Sequence, residues 1–99
     1  MDLRTDKLEG DDFEAAYAEL CEVLAKLRDG FTARGPAVWV PRLERDIELL
    51  DRRQAYGLDR FLSHFGSMGS IGDIGVDADL DELLIRAHTL ARALKRSLD

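Results

Sequence analysis

Ninety-nine residues, 45% of them hydrophobic, suit one domain that buries a core without staples. A net charge of −6 opposes non-specific binding to nucleic-acid phosphates, and a single cysteine excludes an internal disulfide and fits a reducing compartment. No run approaches the roughly 18 apolar residues of a membrane span, and residues 1–7 lack the apolar core of a signal peptide, so the expected location is the cytoplasm, with no membrane partner.

Residues 1–10 are polar and end in Gly10, which reads as a flexible arm; residues 11–99 read as one helical domain. Asp11 is the expected N-cap of a first helix, with Glu14 three positions on as in a capping box. Phe13, Tyr17, Leu20, Leu24 and Leu27 then follow at alternating spacings of four and three, one apolar stripe of a helix. Lys26 and Arg28 suit its C-terminal end, and Gly30 is the expected stop. Cys21 falls within this pattern and reads as a small buried hydrophobe.

Phe31 to Pro36 reads as a connection. A second helix places Trp39, Leu43, Ile47 and Leu50 on one face, with Arg42, Arg45, Arg52 and Arg53 mixed among Glu44, Asp46, Glu48 and Asp51 elsewhere. Pro41 suits a first turn and not a helix interior, which puts the start near Val40, with Trp39 as an anchor before it. After Gly57, the residues Leu58, Phe61, Leu62 and Phe65 recur at i, i+3, i+4 and i+7 of a short third helix. The last helix is capped by Asp77 or Asp79 and lined by Leu80, Leu84, Ala87, Ala91, Leu94 and Leu98, with Arg92, Lys95 and Arg96 towards its C-terminus. The expected fold is therefore all-α: a small helical bundle of three main helices and one short one, with a Gly-rich loop before the last helix. The seams of the first and last helices would suit antiparallel packing within the bundle, the preferred reading, or pairing between two chains as a homodimer.

Half of the glycines fall between Gly66 and Gly75, one at every third position. As a phosphate cradle the run lacks the Lys of a P-loop and the preceding strand of a dinucleotide fold, and Asp77, Asp79, Asp81 and Glu82 occupy the following helix start. As a calcium loop beginning at Asp73 it fails at Gly75, Ala78 and Leu84. His64 and His88 have no i, i+4 histidine partner, and Ser67 or Ser70 beside His64 lacks the serine elbow of the α/β-hydrolases. No catalytic residue, cofactor or metal ligand is assigned, and the chain is not expected to be an enzyme. The economical reading is a turn in which Met68, Ile71 and Ile74 plug the open end of the bundle while Ser67, Ser70 and Asp73 bond local backbone.

The stretch Phe65-Gly66-Ser67-Met68-Gly69-Ser70-Ile71-Gly72-Asp73-Ile74 resembles the Phe-Gly-Gly-Met-Gly-Ser-Leu-Asn-Asp-Leu signature of a family of small bacterial proteins of unknown function. Phe65, Gly66, Met68, Gly69, Ser70 and Asp73 match directly, whereas Ser67 and Gly72 depart from it. Trp39 with Leu43, and the closing helix, extend the resemblance to about residues 35–98. Small proteins of this sort are sometimes regarded as immunity or interaction modules beside toxin genes.

Residues 1–30 carry nine acids against four bases. Such a surface could steer a basic protein partner. The leading expectation is a cytosolic protein-binding module, in the narrower form an immunity protein that neutralises a toxin by direct binding. Its candidate contact residues are Asp12, Glu19, Glu22, Ser67, Ser70 and Asp73. The alternatives are a homo-oligomeric structural module and a ligand-binding or catalytic role centred on His64, Ser67, Ser70 and Asp73.

Overall fold

A computed structural model describes residues 10–65 and 77–98. The described residues form four α-helices: α1 (Gly10–Arg34), α2 (Val40–Asp51), α3 (Tyr56–Ser63) and α4 (Ala78–Leu98), with a 3₁₀ turn at Ala37–Trp39. No strand occurs among them. Residues 1–9 and the glycine run, with its proposed plug residues Met68, Ile71 and Ile74, lie outside the described residues.

The first helix starts one residue earlier than its expected cap, so Asp11 and Asp12 both lie in the first turn, where negative charge complements the helix dipole. Gly30 does not end it. Phe31, fully buried, rewards a further turn, and Gly30 packs closely against α4: a Cβ there would lie 2.3 Å from Leu80 Cδ2. The stop is Gly35, whose φ of +76° is the left-handed conformation of a helix terminus and whose N–H donates to the Phe31 carbonyl at 2.8 Å.

Helix α2 begins at Val40 as expected, with Trp39 in the capping position and Pro41 in its first turn. Its end is sharp: Arg53 adopts φ 60°, and Arg53 and Gln54 donate their N–H groups to the carbonyls of Leu50 and Leu49. Helix α3 starts at Tyr56, before the first apolar residue of its pattern, and Phe65 follows its end. Asp77 directly precedes α4, where its carboxylate pairs with Arg34 and its carbonyl accepts from the Asp81 N–H at 2.9 Å. Leu80, Leu84, Ala87, Ala91 and Leu94 are buried as expected, and Leu90 joins them, but Leu98 in the last turn is half exposed.

Contacts between the helices fix their directions. Arg34 meets Asp77, Gly30 meets Leu80 and Glu19 meets Arg86, so α1 and α4 run antiparallel. Leu20, Leu24, Leu27, Leu84, Ala87 and Ala91 belong to one buried cluster, so these seams are buried within one chain. Helix α2 folds back on α1, where the Tyr17 hydroxyl donates to the Leu50 carbonyl at 2.6 Å and the Arg53 guanidinium lies 4.3 Å above the Tyr17 ring. Helix α3 then runs against the C-terminal half of α4, with Asp59 bonded to Lys95 at 2.9 Å and Phe65 against His88.

Candidate functional site

Leu43, Asp46 and Leu50 fall at i, i+3 and i+7 of α2, so the turn that buries the two leucines carries the aspartate inward as well. Asp46 is fully buried, the one buried charged residue among the described residues, whereas the sequence pattern placed it with the solvated charges. A carboxylate is tolerated there only because both oxygens are bonded. Arg60 on α3 and His64, the residue just past its end, converge on it: Arg60 Nε donates to Oδ1 at 3.0 Å, and His64 Nε2 lies 2.7 Å from Oδ2. With the carboxylate ionised, Nε2 carries the hydrogen and donates.

Aromatic rings enclose this node. Trp39 and His64 form a T-shaped pair at a centroid distance of 5.3 Å, Phe61 meets His64 at 6.1 Å, and the Arg42 guanidinium lies 4.7 Å above the Trp39 ring. Asp46 occupies Nε2 of His64, the nitrogen that a Ser-His-Asp triad leaves free to act as base. Here the same carboxylate is saturated by Arg60 and the imidazole is packed between rings, so its direct effect is to lock α3 onto α2 and fix where Phe65 emerges.

Phe61 meets Phe65 at 5.3 Å, and Phe65 lies 4.5 Å from the His88 ring on α4. Beside that pair a cavity of about 260 Å³ opens, lined among the described residues by Phe65, Asp81, Leu84, Ile85, His88 and Thr89. It adjoins a second, of about 250 Å³, lined by His88, Thr89, Arg92 and Arg96. Ile85 at the rim is 60% exposed. Burial, and secondarily the positive charge of Arg92, holds the His88 imidazole below its ordinary pKa, which favours the neutral ring. The first cavity has room for one bulky side chain.

The expected contact residues are dispersed. Asp12 and Glu22 are exposed on α1, Glu22 paired in-helix with Lys26 at 3.3 Å. Glu19 is engaged instead: Arg86 grips both its oxygens at 2.6 and 2.7 Å, and that hydrogen bonding holds its carboxyl below the usual range. Ser67, Ser70 and Asp73 lie outside the described residues. Cys21, expected to be buried, is half-buried against the core, and burial pushes its thiol up. Among the described residues no group of three or more His, Cys, Asp and Glu side chains is placed to hold a metal ion, and no helix is long and apolar enough to cross a membrane.

The sequence reading missed the buried Asp46 and the groove along α4. The first had a visible signal, an acid on the Leu43–Leu50 face. The second had none, because Phe65 and His88 meet only through the packing of α3 on α4.

A family model described as a domain of unknown function, DUF6966, matches residues 32–82, just over half of the chain. The chain belongs to the DUF6966 family. The matched segment contains the whole buried node, from Trp39 and Arg42 through Asp46 and Arg60 to His64, together with Phe65 and Asp81 at the edge of the groove. Leu84, Ile85, His88, Thr89 and Arg92 lie beyond it. No curated protein and no solved structure matches the chain.

Proposed function

We propose that this member of the DUF6966 family is a protein-binding module whose docking surface is the groove beside Phe65 and α4. The observation that carries the reading is the exposed Ile85 at the rim of an open cavity floored by the Phe65–His88 pair and walled by Leu84. An exposed large hydrophobe beside a pocket of side-chain size is the arrangement in which a partner's anchor residue is desolvated. The buried Asp46 node supports it by holding Phe65 in a fixed place, so the surface is ordered before a partner arrives.

A benzophenone photocrosslinker introduced in place of Ile85 tests the proposal, with the equally exposed Val38, in the 3₁₀ turn, as the control position. Position 85 is expected to capture a discrete second protein in cells and position 38 is not. Equal labelling from both positions, or capture only of a second copy of the chain, overturns the reading, the latter in favour of a homo-oligomer.

The narrower form is a cytosolic immunity protein that masks a toxin. Its support is the acidity of residues 1–30 and the resemblance of residues 65–74 to a family of small bacterial proteins. Charge reversal at Asp12 and Glu22 is its test, and Glu19 is left intact because its carboxylate is already engaged by Arg86. Association with a basic toxin should slow in the reversed variant, and an unchanged rate removes α1 from the interface.

A further inference from the structure

Asp81, Ile85, Thr89, Arg92 and Arg96 recur on α4 at spacings of four, four, three and four, all exposed, and they form one stripe along the two adjoining cavities. Its character changes with position: acidic at Asp81, apolar at Ile85 over Leu84 and Phe65, polar at His88 and Thr89, basic at Arg92 and Arg96. The dipole of α4 accounts for Lys95 and Arg96 in its last turn. It does not account for Arg92, a turn earlier, lining the same depression as His88 and Thr89. Arg92 is also near enough to act on the His88 ring, which the apolar cavity shares.

We infer that, given the docking surface proposed above, the partner segment is an extended peptide that places a bulky apolar side chain in the Phe65–Leu84–Ile85–His88 cavity and a carboxylate on Arg92. The spacing follows from helix geometry. Ile85 and Arg92 are seven residues apart, about 10 Å along the axis, and Thr89 at the end of the apolar cavity is about 5 Å from Arg92. An extended chain rises about 3.3 Å per residue, so the carboxylate belongs two to three residues from the apolar anchor. Asp81, about 6 Å beyond Ile85 on the other side, favours a basic residue about two positions from the anchor in the opposite direction. The carboxylate can come from an Asp or Glu side chain or from a chain terminus, and both offer Arg92 the same planar pair of acceptors.

Selection of random linear peptides on the full chain, counter-selected on an Ile85→Asp variant, tests this. Peptides with free and with amidated C-termini distinguish the two sources of carboxylate. The enriched peptides should carry a bulky apolar residue with an acid or terminal carboxylate at that spacing. Their dissociation constants should rise about tenfold in Arg92→Glu and rise with added salt. Ile85-dependent peptides that lack an acid and bind Arg92→Glu unchanged would overturn the charge assignment while leaving the groove as a docking surface. If no Ile85-dependent peptide emerges, both readings fall. An Ile85-dependent dimer formed without peptide, seen by sedimentation, assigns the groove to a second copy and overturns the inference. Both substitutions replace exposed side chains, and far-UV circular dichroism checks that the helices are retained.

Discussion

The α1–α4 seam and the α2–α3 junction solve the same problem with opposite chemistry. Along the seam the interior is apolar, with Leu20, Leu24, Leu27, Leu84, Ala87 and Ala91 inside, and the ion pairs Glu19–Arg86 and Arg34–Asp77 stay on the surface. At the junction the charge is inside: Asp46 is fully buried and holds Arg60 and His64. Exposed pairs contribute little because water competes for both partners, whereas a buried carboxylate is costly unless its donors remain. The seam should therefore tolerate loss of its charges and not of its volume, and the junction should respond in the reverse way.

Truncating the seam gives the largest effect. Leu24→Ala truncates a fully buried seam residue and should cost about 4 kcal/mol in urea unfolding. Next is Asp46→Ala, which leaves the Arg60 and His64 donors without their acceptor and should cost about 3 kcal/mol. A loss near zero for that variant would mean that water reaches the junction, and the contrast with the seam would collapse. Tyr17→Phe, which deprives the buried Leu50 carbonyl of a donor, should cost about 1 kcal/mol.

Smaller effects separate by pH. Because the pKa of His88 is lowered on folding, the unfolded chain takes up its proton first, and stability should fall as pH drops below about 6.5. His88→Asn should flatten that part of a plot of thermal midpoint against pH. Glu19 and Asp77 are also depressed, by hydrogen bonds from Arg86 and Arg34. Their contribution is present above the ordinary carboxylate range of about pH 4 and is lost as pH falls through their folded values. Glu19→Gln should lower the midpoint at neutral pH only slightly, and the two curves should converge as pH falls through the folded value of Glu19. A large loss at neutral pH would show the surface pair to be as consequential as the buried one and would remove the distinction.

Helix periodicity made most of the fold legible. The spacings of Tyr17, Leu20, Leu24 and Leu27, and of Leu80, Leu84, Ala87, Ala91 and Leu94, identify faces that are buried, and Pro41 dates the start of α2 correctly. Gly30 misled because a glycine marks a helix end only when no neighbouring element rewards continuing; Leu80 and the buried Phe31 supply that reward. The candidate site was far less legible. Asp12, Glu19 and Glu22 were chosen by charge, yet Glu19 is taken up by Arg86, a residue 67 positions away.

By itself the sequence determined an all-helical chain, the composition of its apolar stripes and an acidic first third, since these depend on local periodicity and on counting charges. Only the tertiary structure decided that Gly30 would be a contact and Gly35 a terminus, that Asp46 would be buried, and that Phe65 and His88 would face each other beside Ile85. Each of those outcomes depends on which helix packs against which, and a stripe of side chains states that it will be covered without naming what covers it.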